Sequence, residues 1–308
     1  MNDYEQQLIK YIKDKNLGEL YTNYTFKMIT TLKVGGSIAL MYFPNSDDSL
    51  LIVLSYLREN KIKYIIIGNG SNILASDNFY DGVVISLKRI ANQFIIEKLE
   101  DDKYLVGVNA GCSAKKFCEL LSEHSLTGAE AIGSIPATIG GIVAMNASCY
   151  DFVSSKYLKR ALVIIDNNIR WLDSSELDFT YRSSKILNEN LILLKVEFIF
   201  KKGKHNEIIN KMEYINQKRK KTQPMHLKSA GSTFKNSSLY NAWEVIEKLG
   251  LRGYRIGDAM VSLEHTNFLV NVSNASSNDF LKLINLIKKK ALEQLNIDLK
   301  TEWILINF

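Results

Sequence analysis

Hydrophobic positions fall into helical and strand periods in turn along the chain. Tyr4, Leu8, Tyr11 and Ile12 share one stripe and predict a helix over about residues 3–15, and Leu50, Leu51, Leu54 and Leu57 predict another over 47–60. The run Tyr64-Ile65-Ile66-Ile67 stops at Gly68, the pattern of a buried strand delivering the chain into a loop. Val83 to Leu87 and Tyr104 to Val108 read as further strands. Ser113 is placed to cap a helix with Phe117, Leu120 and Leu121 on its inner side. Leu194, Val196, Phe198 and Phe200 alternate with Lys195 and Glu197, which predicts a half-buried strand.

Composition shifts at Lys201-Lys202-Gly203-Lys204, taken as the boundary between a region 1–202 and a region 203–308. Beyond it the pattern predicts helices over about 206–220 and 239–249, the latter closed by Gly250. A last helix is expected over about 279–295, with Phe280, Leu283, Ile284, Ile287 and Ala291 buried. No internal repeat is visible. Strands and helices alternate without segregation, so the class is α+β or α/β.

The chain has 308 residues, of which 46% are hydrophobic and 23% charged. That apolar content excludes a disordered or low-complexity chain. No apolar run reaches the ~18–20 residues that cross a bilayer. Lys10, Lys13 and Lys15 interleave with Asp3, Glu5 and Asp14, so the amino end lacks the uncharged core of a signal peptide. Cys112, Cys118 and Cys149 form no C-x-x-C pair, and neither a disulfide framework nor a metal site is indicated. A cytoplasmic protein with no membrane partner is the expectation.

Between Lys201 and Lys221 eight basic residues stand against Glu207 and Glu213, which accounts for the whole net charge of +6. The stretch is either a site for anionic ligands or a solvated helix face. Tyr214 is its one aromatic, so the base-stacking pattern of a nucleic-acid binder is missing, and no nucleic-acid partner is expected.

Two glycine loops carry candidate cofactor chemistry. Gly68-Asn69-Gly70-Ser71-Asn72 follows the strand at Ile67, and its backbone N–H groups can approach a phosphate closely. Ile73 stands where G-x-G-x-x-G needs its last glycine, so no Rossmann start is supported. The second loop runs from Gly133 through Ile135, Pro136, Ala137, Thr138, Gly140 and Gly141 to Asn146. It lacks the lysine of a P-loop. Either could be a structural turn; together they suit a dinucleotide pyrophosphate held by neutral donors.

Three further positions are candidates for reaction chemistry. Arg182 lies between aromatics and hydroxyls in Phe179-Thr180-Tyr181-Arg182-Ser183-Ser184, and its fork suits a carboxylate. Ser232 lies in a small-residue turn with Lys235 and Asn236 close behind; Ala230 rules out a G-x-S-x-G elbow. Glu302 lies in an apolar terminal strand over 301–306, and is either a solvent-facing group or a recruited acid. His265 is either a ligand contact or a hydrogen-bonded structural histidine.

In order along the chain, these segments resemble the UDP-N-acetylenolpyruvoylglucosamine reductase family. The segments that carry the resemblance are Thr30 to Gly36, the Gly68 loop, the Gly133 loop with Met145-Asn146-Ala147, Tyr181 to Ser184, Gln223-Pro224, Ala230 to Asn236, Gly257 to Asn271, and Glu302. The chain resembles the shorter of two subtypes, lacking the longer type's tyrosine loop after Arg182. It departs from the pattern at Ala137, Ser148 and Asp151, where the family has glycine, and at Ser237, where it has proline.

The resemblance implies an α+β architecture: a two-lobed FAD-binding fold of the vanillyl-alcohol-oxidase type, followed by a smaller α+β substrate-binding domain. It implies non-covalent FAD, NADPH as co-substrate, and reduction of UDP-N-acetylglucosamine enolpyruvate to UDP-N-acetylmuramate by a monomer. Mapped residue by residue, Ser232 is the proton donor, with Arg182 and Glu302 beside it. Cofactor contacts fall on Gly68, Asn69, Gly70, Ser71, Asn72, Ile135, Pro136, Ala137, Thr138, Gly140, Gly141 and Asn146. Substrate contacts fall on Tyr181, Lys220, Asn236 and His265. Two other readings fit the residues: a different flavin oxidase or dehydrogenase of the same fold, and a non-enzymatic binder of nucleotides or nucleic acid.

Overall fold

The computed structural model describes residues 3–90 and 93–308. The chain does not divide at a single point. One compact unit takes Met1–Tyr21, Leu40–Gly68 and Gly82–Gln217; the other takes Thr22–Ala39, Asn69–Asp81 and Lys218–Phe308. Strands Ser37–Pro44 and Tyr80–Ile85 pass from one to the other.

Among the described residues the first unit holds two larger sheets and a two-stranded hairpin. In one, the strand order is Gly18–Tyr21, Ser37–Pro44, Tyr80–Ile85, Tyr64–Ile66, the last two parallel. The helix Asp47–Glu59, capped by Ser46, buries Leu50, Val53, Leu54 and Leu57. The strand Tyr64–Ile66 is half-buried rather than buried, because it lies at the end of its sheet. The strand expected at Val83 to Leu87 runs instead from Tyr80 to Ile85, and Leu87–Arg89 form a 3-10 turn.

The second sheet is antiparallel, in the order Asn168–Asp173, Leu158–Ile165, Ile192–Lys202, Lys103–Asn109, Phe94–Lys98. Its central strand, Ile192–Lys202, is largely buried, against the expectation of half-burial. Neighbouring strands flank both of its edges, and even Glu197 is buried, held by Arg160 through bonds of 2.6 and 3.0 Å. Ser113 caps the helix Ala114–Glu123 by accepting the Lys116 N–H, as its position predicts. Phe117 from that helix packs against Phe198 and Phe200, and Tyr157 stacks on Phe200.

The second unit has a four-stranded antiparallel sheet in the order Lys228–Ser232, Phe268–Asn271, Ala259–Val261, Arg255–Ile256. The helix Ser277–Leu295 lays Phe280, Leu283, Ile284, Ile287 and Ala291 into this unit's core, the stripe read from the sequence. It starts earlier than periodicity suggests, because Ser276 and Asp279 form a reciprocal capping box. The helix expected from 239 begins only at Ala242. The Ser237 hydroxyl accepts the N–H groups of Leu239 and Tyr240, holding those residues in a turn. The terminal strand is Ile304–Ile306, parallel to Ile73–Ala75. No helix among the described residues is long and apolar enough to cross a membrane.

Candidate active site

In the first unit, the chain around Arg182 is pinned from several sides. Thr180 and Ser183 exchange backbone hydrogen bonds of 3.1 and 3.2 Å, closing a tight turn. Arg182 inside it has φ of +56°, a left-handed backbone that a side-chain-bearing residue holds only under constraint. The Asn146 amide donates to the Thr180 carbonyl at 2.9 Å, and its oxygen accepts the Ser155 N–H. Ser184, fully buried, donates to the Ala144 carbonyl and caps Lys185–Asn188. Asn146, expected to meet the cofactor, therefore has its side chain committed to holding the arginine turn. The guanidinium lies 5.0 Å from the Tyr181 ring centroid and donates to the Ser148 hydroxyl at 2.7 Å.

The second glycine loop is braced internally. Gly140 N–H bonds Ala110 O, Ile139 N–H bonds Cys112 O, and Ala137 N–H bonds Ile135 O. The Thr138 hydroxyl caps Ile139–Ala144 by accepting the Gly141 N–H. These donors, which the sequence offered to a pyrophosphate, have protein acceptors. Gly68 packs on the same threonine, since a Cβ added there would fall 2.4 Å from Thr138 Oγ1. Gly68, Thr138, Gly140 and Gly141 wall a mostly apolar cavity of about 130 Å³ in this unit, whose one charged lining residue is Lys88. Backbone walls, apolar neighbours and a single cation with no carboxylate suit one part of a larger phosphate-bearing cofactor, the cavity being smaller than a whole-ligand pocket.

The second unit gathers the other candidates. Ser232 ends the strand Lys228–Ser232, not a free turn, and pairs with Phe268 across an irregularity that starts at Ser229. Gly231, at φ of +73°, allows that bend. The Ser232 hydroxyl makes no hydrogen bond to any of the described residues. Glu302 lies before the terminal strand rather than in it, and its N–H donates to the Thr233 carbonyl at 2.8 Å. The Asn72 amide donates to the Glu302 carbonyl at 3.1 Å, while Asn72 O accepts the Ile304 N–H. Gly70 closes on Thr31, and a Cβ there would meet Ile29 O at 2.6 Å.

His265 Nδ1 accepts the Asn267 N–H, which puts the ring proton on Nε2. Burial, with the Arg252 charge, holds its pKa below the ordinary histidine value against a backbone hydrogen bond, so the ring is neutral at pH 7. Asn236 Oδ1 is committed to the Ala242 N–H. Lys220 is exposed near the end of the helix His205–Thr222. Two other cations of the basic stretch are paired, Lys204 with Glu207 and Lys211 with Glu130 and Asp151. Sequence reasoning missed Thr233 and Asn267, the latter bonded through both amide atoms to the Phe234 backbone. Nothing in residue type or spacing marks them.

Two domain models match the chain. One, an FAD binding domain, covers residues 38–165; the other, the C-terminal domain of UDP-N-acetylenolpyruvoylglucosamine reductase, covers 223–306. A reductase of that name from Clostridium novyi is 38% identical, across 96% of this chain and 94% of that protein. The chain belongs to the UDP-N-acetylenolpyruvoylglucosamine reductase family. A family member from Caldanaerobacter subterraneus subsp. tengcongensis is 37% identical over 92% of this chain and 93% of its own length. The crystal structure of the Thermus caldophilus reductase superposes with a TM-score of 0.77 at 31% identity, covering 94% of this chain and 99% of that one. The architecture is accordingly an FAD-binding domain followed by the family's C-terminal domain, with helix and strand mixed throughout.

Proposed function

We propose that this chain is an NADPH-dependent flavoenzyme that reduces the enolpyruvyl ether of UDP-N-acetylglucosamine enolpyruvate to UDP-N-acetylmuramate. The reaction belongs to peptidoglycan precursor synthesis, and so to cell-wall growth, cell shape and division, in the cytoplasm; the enzyme acts as a monomer. The observation that carries this reading is agreement with reductases over nearly the whole chain. The match spans both the cofactor and the C-terminal domain.

Saturating an enolpyruvyl ether takes a hydride on one carbon and a proton on its neighbour. FAD, once reduced by NADPH, would supply the hydride, and Gly68, Thr138, Gly140 and Gly141 would hold the cofactor. Arg182 faces the substrate carboxylate and balances the negative charge that grows there, an effect commonly worth about 3–4 kcal/mol. Ser232 Oγ gives its proton to the carbon beside that carboxylate. A hydroxyl serves as acid here because an enolate carbon is strongly basic. The Ser232 hydroxyl makes no hydrogen bond among the described residues, which leaves that proton available. Glu302, whose N–H donates to the Thr233 carbonyl, shares in this role. Tyr181, Asn236, His265 and Lys220 contribute to substrate binding, His265 through its Nε2 proton and Lys220 towards the UDP phosphates.

The test is the visible spectrum of the purified protein. A yellow preparation should bleach with NADPH and recover without oxygen on adding UDP-N-acetylglucosamine enolpyruvate. Recovery only with other acceptors would assign a different flavin oxidoreductase, and a colourless protein that takes up no FAD would refute the proposal.

A further inference from the structure

We propose that Ser148 is a positioning residue for Arg182, a proposal that rests on the catalytic role given to that arginine. Ser148 and Cys149 pair with Phe152 and Val153 in a short hairpin, and Tyr150 and Asp151 form its tip. From this hairpin Ser148 Oγ accepts a hydrogen bond from Arg182 Nη1 at 2.7 Å. The bond is short for an N–H donor and is assisted by the guanidinium charge. A hydroxyl orients the guanidinium without neutralising it. A carboxylate in the same place would hold it as firmly but cancel the charge that a substrate carboxylate needs to meet.

The hairpin is anchored at its other end. Asp151 lies 3.4 Å from Lys211, and Lys211 lies 3.6 Å from Glu130. Glu130 is 5% exposed and also accepts from the Thr127 hydroxyl and the Gly128 N–H. Asp151 is exposed, so its pair is the weaker link, and the Ser148 hydroxyl is the direct contact. Both residues are departures from the family pattern, and both lie in this arrangement. The backbone under Arg182 is fixed by its left-handed turn, but its side chain extends several bonds beyond. Tyr181 covers it from one direction and Ser148 holds its tip.

The test compares Ser148→Ala, Ser148→Thr and Arg182→Ala as holoenzymes, with each half-reaction followed separately by anaerobic stopped flow. Ser148→Ala should slow reoxidation by UDP-N-acetylglucosamine enolpyruvate about tenfold, the loss of one hydrogen bond to a charged group. Reduction by NADPH should be unchanged, and Ser148→Thr should restore the rate. Calorimetry should show weaker binding of UDP-N-acetylmuramate to Ser148→Ala. Adding Ser148→Ala to Arg182→Ala should change neither quantity further. If Arg182→Ala is slow but Ser148→Ala reoxidises at the parent rate, the positioning role is overturned and the arginine's role stands. If Arg182→Ala also reoxidises at the parent rate, both fall. Equal slowing of the two half-reactions by Ser148→Ala, or no rescue by threonine, would mark a general structural defect and also overturn the proposal.

Discussion

Glu302 donates its backbone N–H to the carbonyl of Thr233, the residue directly after Ser232, at 2.8 Å. The proposed proton donor and the proposed acid are thus carried on adjacent extended segments whose register is fixed by that bond and by the Phe234–Thr301 bridge. Replacing Ser232 with alanine removes only the hydroxyl, which supports no hydrogen bond among the described residues. Ser232→Ala should therefore fold and bleach with NADPH like the parent. Its reoxidation by the enolpyruvyl substrate should fall by about 10²–10⁴-fold, the usual contribution of a positioned acid. Parent-like reoxidation in stopped flow would remove Ser232 from the mechanism.

Asn72 ties the same region to the first glycine loop, its amide on Glu302 O and its carbonyl on Ile304 N–H. Asn72→Ala keeps the backbone bond and loses the side-chain one, which should lower stability by about 1 kcal/mol. For a chain of this size that is a fall in Tm of roughly 2–4 °C. With Glu302 less firmly held, the substrate half-reaction should slow more than flavin reduction. Equal slowing of both would assign Asn72 to the cofactor alone.

The sequence revealed those features that depend on local pattern. The stripe Phe280, Leu283, Ile284, Ile287 and the Ser113 cap are set by neighbours within a few residues, and both stand as read. Burial of Glu197 was not legible, because its covering partner Arg160 comes from a strand far off in sequence. The membership of residues 22–39 and 69–81 in the second unit was equally hidden, since that grouping follows from strand pairing such as Ile304 with Ile73. In the candidate site, the residue types of Arg182, Ser232 and Glu302 pointed to chemistry. The bonds that place them run through Asn146 and Asn72, which the sequence offered only as cofactor contacts, and through Ser148 and Thr233, to which it gave no role.

Gly68 and Thr138 offer a test of how the two glycine loops fit together. A Cβ on Gly68 would lie 2.4 Å from Thr138 Oγ1 but 3.5 Å from Thr138 Cβ. Gly68→Ala should therefore destabilise by about 1–3 kcal/mol through overpacking, and Thr138→Ala by about 1 kcal/mol through loss of its cap. Removing the hydroxyl also removes the clash, so the double variant should be about as stable as Thr138→Ala alone. Additive losses in denaturant titrations would show that the crowding lies elsewhere.

Glu130 makes a pH prediction with a definite sign. Burial pushes its pKa up, but hydrogen bonds from the Thr127 hydroxyl and backbone N–H groups, with the Lys211 charge, outweigh burial and hold it below the ordinary 4.5. A folded-state value below the unfolded one means that the unfolded chain binds more protons as the pH falls. The stabilisation is then complete above about pH 4.5 and disappears as pH drops through the folded value. Glu130→Gln retains an oxygen for Thr127 but loses the charge facing Lys211. It should cost about 1–3 kcal/mol at pH 7, with the difference from the parent shrinking in acid. Thermal unfolding of the two proteins at pH 7 and well below about pH 4.5 reads this directly. A gap in Tm that stays constant across that range would mean that folding does not lower the Glu130 pKa.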